Sequence, residues 1–218
     1  MNHVKHKIAV VAGTAVLSTL VACGGGGAGA GGPLSVDRLV TLSEEVGKDG
    51  AENCPLPYDV EKAAEAAKVG EKIQPGAADA GADDPVATAE GGKKTDPQSP
   101  FAGKPGAWVT CSYHVGDESL VIHTAGTEAG SVVNLLLPTT QSASGMSVDE
   151  VTAYHQKADK AKPGEAVPTK GGNVVTVRLD SGGKGDVALL LTVGEDDKSK
   201  LKPEQVLDLA RTFAAQAE

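Results

Sequence analysis

Three cysteines, Cys23, Cys54 and Cys111, are the side chains of this 218-residue chain best suited to covalent chemistry, because a thiolate attacks electrophiles and two thiols oxidise to a disulfide. Few other groups compete with them. His114 and His123 fall on neighbouring strands of an expected hairpin, where two imidazoles could hold a metal. Their spacing puts them on different rungs, and no Asp, Glu or Cys stands beside them at ligand spacing. Solvent-side histidines are the better reading, His155 included. Ser181-Gly182-Gly183-Lys184 places a serine and a lysine where one helical turn would bring nucleophile and base together, but two glycines oppose that helix. A turn is expected instead. No Gly-x-Ser-x-Gly occurs, and Ser142, Ser144 and Ser147 fall in a loop and a helix cap without a base. Glu195-Asp196-Asp197 lacks the spaced oxygens and central glycine of a calcium loop, which favours a solvated turn. These residues predict no catalytic group, no metal site and no cofactor.

The residues before Cys23 decide what its thiol does. Met1 to Lys7 is a short stretch whose charged side chains are Lys5 and Lys7, and residues 8–20 form an apolar run of 13. A helix crossing a bilayer needs about 20 residues, so residues 1–22 read as a signal peptide. Leu20-Val21-Ala22-Cys23 resembles the lipobox of bacterial lipoproteins: an aliphatic residue, two small or β-branched residues, then the obligatory cysteine. That resemblance implies that the Cys23 thiolate takes diacylglycerol and that cleavage falls on its amino side. Lipid of the palmitate kind would then hold the protein on the outer face of the cell membrane. The alternative is an ordinary signal peptide cut after Ala22, with an incidental cysteine. Two acyl chains anchor stably where one does not, at about 0.8 kcal/mol per buried methylene.

Removing residues 1–22 takes away two lysines and no acid, leaving 18 Lys and Arg against 29 Asp and Glu, a formal charge of −11. Nucleic acid is excluded as a partner, and an anionic membrane repels such a surface within a Debye length of about 8 Å. Lipid rather than charge would hold the protein there. Outside the cytoplasm the two remaining cysteines, Cys54 and Cys111, read as a disulfide. It matters because aromatics are only 3% of the chain, so Ala, Val and Leu must fill the core.

Residues 23–33, the lipidated cysteine and a glycine-rich run, read as a tether with a reach of roughly 18 Å. Residues 34–218 then form one extracytoplasmic domain. Ser35 can cap a first helix ending at Gly47, and Asp59 a second ending at Gly70. Between residues 74 and 106 the chain is Gly, Ala, Pro, Asp and Lys with almost no large apolar side chain, which predicts a disordered loop. Alternation over residues 107–115 predicts a strand with Val109, Cys111 and Tyr113 inward and Trp108, Thr110, Ser112 and His114 outward. Trp108 either covers the sheet or lines a groove, with cover favoured. Strands are expected at 120–124, 132–137, 174–179 and 187–193, a capping box at Ser147 and Glu150 opens a helix, and Pro203 opens the last one. The sum is an α+β fold, a single antiparallel sheet of about five strands with helices packed on one face.

Asn53-Cys54-Pro55-Leu56-Pro57-Tyr58-Asp59-Val60, an Ala-rich helix, and then Trp108-Val109-Thr110-Cys111-Ser112-Tyr113 together resemble a two-cysteine family of actinobacterial lipoproteins of unknown function, over roughly residues 50–215. The resemblance implies a cell-envelope domain with one disulfide and no catalytic residue. The expectation is therefore a membrane-anchored binding or interaction domain for a protein or small hydrophobic partner. A carrier of lipid or another hydrophobic ligand comes second, and an envelope hydrolase last.

Overall fold

Local signals start most of the helices. The Ser35 hydroxyl accepts the Arg38 amide hydrogen at 3.3 Å to open α1 (Val36–Val46), whose Val36, Leu39, Val40 and Val46 form one buried face. Asp59 does the same at 2.9 Å from Lys62 N for α2 (Val60–Ala66), which ends before the expected Gly70. The computed structural model describes residues 32–81, 84–92, 99–195 and 198–218. Cys23 with its lipobox, most of the tether, and Asp196 and Asp197 lie outside the described residues.

After α2 come β1 (Ile73–Pro75), β2 (Ala87–Gly92), β3 (Gly106–Val115) and β4 (Glu118–Thr127). Next are α3 (Val132–Ser144), α4 (Val148–Lys160), β5 (Ala166–Pro168), β6 (Val174–Leu179), β7 (Asp186–Val193) and α5 (Pro203–Ala217). All pairings are antiparallel, in the order β1-β3-β4-β7-β6-β5, with β2 also paired to β3. β1 and β2 lie in tandem on one edge of β3: β2 pairs with residues 106–111 and β1 with 113–115. The mixed α+β class with an antiparallel sheet is as expected, but seven strands are present among the described residues where about five were expected.

Three expectations need correction. Residues 132–137 are not a strand but the first half of α3, which buries Val132, Val133, Leu136, Thr140 and Ser144 at helical spacing. Its first amide is satisfied from far away: Val132 N–H donates to Asp186 Oδ2 at 3.0 Å, 54 residues on. The Arg178 guanidinium holds that carboxylate through Oδ1 at 2.8 Å and also donates to the Asp159 carbonyl at the end of α4. Residues 74–106 are not simply a disordered loop, because within them β2 forms six rungs with β3. Small residues make that possible. A Cβ on Gly106 would sit 2.3 Å from the buried Phe101 ring, and one on Gly91 would sit 2.3 Å from the Gly106 carbonyl, so Phe101 tucks in only because both are glycine.

The third correction concerns the helices, which pack on both faces of the sheet. One core holds α1, α2 and α5 against Val109, Cys111, Ile122, Leu189 and Leu191. The other holds α3 and α4 against Ala125, Val174, Ala188 and Leu190. The cause lies in β7, whose Val187 to Val193 are all buried, as a strand covered on both sides must be.

The first face is closed by more than apolar contact. Cys54 and Cys111 form the expected disulfide, with Cα atoms 5.5 Å apart and Cys111 fully buried on the inward face of β3. The Tyr58 ring meets the Phe213 ring edge-on at 5.4 Å, and its hydroxyl hydrogen-bonds the buried Thr124 hydroxyl at 2.7 Å. Burial drives the Tyr58 phenol far above its ordinary pKa and pushes that of Tyr113, on the same side, up to about 12. Where the chain enters the domain, Leu34 N–H donates to the Ala217 carbonyl at 2.9 Å.

Candidate functional site

The second face is only half covered. α3 lies against β7 and β4 and α4 against β6, which leaves the outer side chains of β2, β3 and the Ser119–His123 part of β4 without a helix above them among the described residues. The register sets Thr88 beside Thr110, and Thr110 beside His123. It also sets Glu90 beside Trp108, and Ser112 beside Val121, which pairs in turn with Thr192. All of these but Ser112 form the floor of a groove whose wall is Thr139, Ser142 and Ala143 of α3. Two adjoining clefts compose it, of about 470 Å³ and 220 Å³, meeting at His123 and Thr139.

His123 is the centre of the groove. The Trp108 indole N–H lies 3.4 Å from its Nδ1 and the Thr110 hydroxyl 3.2 Å, with the two rings edge-on at 5.8 Å. An indole nitrogen only donates, so Nδ1 is the acceptor and the imidazole proton sits on Nε2. Desolvation lowers the pKa of this histidine to about 4, which keeps the ring neutral at physiological pH. It therefore presents a fixed, uncharged N–H donor. No hydrogen bond joins Ser142 to His123 among the described residues; the hydroxyl that meets the imidazole is that of Thr110.

The larger cleft shares Ser119, Gly194 and Glu195 with a further open depression of about 430 Å³ at the β3–β4 turn. There Lys200 pairs with Asp117, and the ammonium holds that carboxyl below the usual range. Glu118 accepts the Lys200 amide hydrogen at 2.7 Å and the Ser199 hydroxyl at 3.3 Å.

The residues singled out from sequence scatter. Neither His123 nor the other two histidines singled out is freely solvated, contrary to expectation: His114 is half-buried with Nδ1 3.0 Å from the Gly76 carbonyl, and the Nε2 of His155 is buried without a hydrogen-bond partner among the described residues. Trp108 both packs against the second core and lines the groove. Ser181 and Lys184 lie in the β6–β7 turn as expected, with the Ser181 hydroxyl donating to the Gly185 carbonyl at 3.4 Å. Ser144 donates to the Thr140 carbonyl at 2.6 Å, and Ser147 caps α4. Sequence reasoning missed Thr110, Ser119, Thr139 and Thr192. The signal available was the row of small hydroxyl side chains on the outward positions of β3 and β4. No protein-family model matches the chain, and neither a curated protein nor a solved structure does.

Proposed function

We propose that this protein is a lipid-anchored domain of the bacterial cell envelope, facing outward from the cytoplasmic membrane, and that it binds rather than transforms its partner. Leu20-Val21-Ala22-Cys23 supports the anchor, with Cys23 as the lipidated residue and membership among two-cysteine lipoproteins as the accompanying proposal. The observation that carries the binding reading is the half-covered second face, where a sheet floor and one helix wall enclose an open groove centred on a neutral histidine. An imidazole whose Nε2 bears the proton, and whose pKa burial lowers to about 4, is a hydrogen-bond donor and a poor general base at neutral pH. That favours binding over the hydrolase alternative. The hydroxyl lining favours a polar partner over the hydrophobic cargo of a carrier, which asks for a mainly apolar cavity.

The anchor is tested by Cys23→Ala, which is expected to move the protein from the membrane pellet to the soluble fraction after a high-salt wash. A variant that stays with the membrane would contradict it. The groove is tested by native mass spectrometry of wild type and Thr139→Arg, both purified from the native host. A bound mass present in the first and lost from the second supports it, and a mass retained in the filled groove places the partner elsewhere.

A further inference from the structure

We propose that the groove takes a neutral oligosaccharide, an inference that rests on the groove being the binding face. Charge excludes other polar ligands first. Among the described residues neither cleft has a lysine or arginine in its lining, and Glu90 and Glu195 stand at the two ends of the groove, an arrangement that repels phosphates and carboxylates. Cations are poorly served as well, because the centre offers the Nε2–H of His123 where a cation needs an acceptor.

What remains matches a ligand covered in hydroxyl groups. Thr88, Thr110, Ser119, Thr139 and Ser142 each donate and accept, as sugar hydroxyls do, while the two carboxylates accept and the imidazole donates. Trp108 adds an aromatic surface for the C–H side of a sugar ring. The shape asks for a chain rather than a single ring. From Ala125, level with Trp108, to Ser119 the floor runs along β4 for about 20 Å, at about 3.3 Å per residue. The far end lies at Ser119, Gly194 and Glu195, beside the β3–β4 turn. The tethered end of the domain is at the opposite pole, where Leu34 meets Ala217 and a Cβ on Gly182 would come within 3.2 Å of Pro33. A glycan of the wall could thus enter from the side turned away from the membrane.

Trp108 is the chain's single tryptophan, so its fluorescence reports on the groove alone. Delipidated protein is titrated to millimolar concentration with maltohexaose and with tetra-N-acetylchitotetraose, and in parallel with polygalacturonate and phosphatidylcholine vesicles. The expected result is a saturable change in emission with at least one neutral sugar. His123→Phe should weaken it about tenfold, the loss of one buried hydrogen bond, while His123→Gln, which keeps an N–H donor, should retain it. A response to polygalacturonate or vesicles alone, or none to either neutral sugar, overturns the assignment. If a bound mass is nevertheless lost in Thr139→Arg, the groove remains the binding face and only the ligand class is wrong.

Discussion

The two faces of the sheet are built from alternating residues of the same strands, yet they differ in every physical respect. On one side Val109, Cys111, Ile122, Leu189 and Leu191 are fully buried beneath three helices, and a disulfide and a tyrosine hydroxyl close the remaining gaps. On the other, two helices seal only the half of the sheet around β6 and β7, and the outward positions of β3 and distal β4 carry Trp, Thr, Ser and His. Stability is concentrated on the first face. The second can therefore hold polar groups at its open end without weakening the domain, which is what a binding surface needs.

The largest effect that sharpens this contrast belongs to the disulfide. A bridge between residues 57 apart removes loop entropy from the unfolded chain worth about 4 kcal/mol in the chain-entropy model. Cys111→Ser also leaves a polar hydroxyl in a fully buried site. Urea unfolding should show a loss of about 2 to 5 kcal/mol. A variant as stable as wild type would mean that the first face is held by its apolar contacts alone.

A somewhat smaller effect belongs to the open face and depends on pH. The pKa of His123 is lowered in the folded protein to about 4, while the unfolded chain keeps an ordinary histidine near 6.5. Between these values the unfolded state binds more protons, so stability falls as pH drops from about 6.5 to about 4. The loss is about 3 kcal/mol at most, full stability returning above the unfolded value. His123→Gln should remove this component from the pH dependence of urea unfolding, and the imidazole resonances of His123 should titrate near pH 4. Titration near 6.5 would mean that the groove is more open than its burial implies.

Much of the first face was legible in the sequence, because its signals are local or strictly periodic. The alternation in β3 placed Cys111 inward with Val109 and Tyr113, and Ser35 and Asp59 marked the starts of α1 and α2. The second face was harder to read. Val132 to Leu137 is an apolar run that fits strand or helix, and the group that caps α3 is a carboxylate on β7. Pro138, a poor strand residue, and Gly145, in a left-handed conformation at the helix end, were the local clues. The continuous run Val187-Ala188-Leu189-Leu190-Leu191 already indicated a strand buried on both sides, and so helices on both faces. β2 left no apolar signature, since Ala, Thr and Gly join β3 through backbone hydrogen bonds. The groove could not be read without α3, because its wall and its floor are separate in sequence.

Two adjacent residues of β4 test the contrast most directly. Ile122 points into the first core and is fully buried, while Val121 points the other way and lines the groove. Urea unfolding of Ile122→Ala and Val121→Ala compares the faces at one point of one strand. The expected result is a loss of about 2 to 5 kcal/mol for Ile122→Ala, as in other packed cores, and of no more than about 1 kcal/mol for Val121→Ala. Equal losses at the two positions would contradict a sealed face backing an open one.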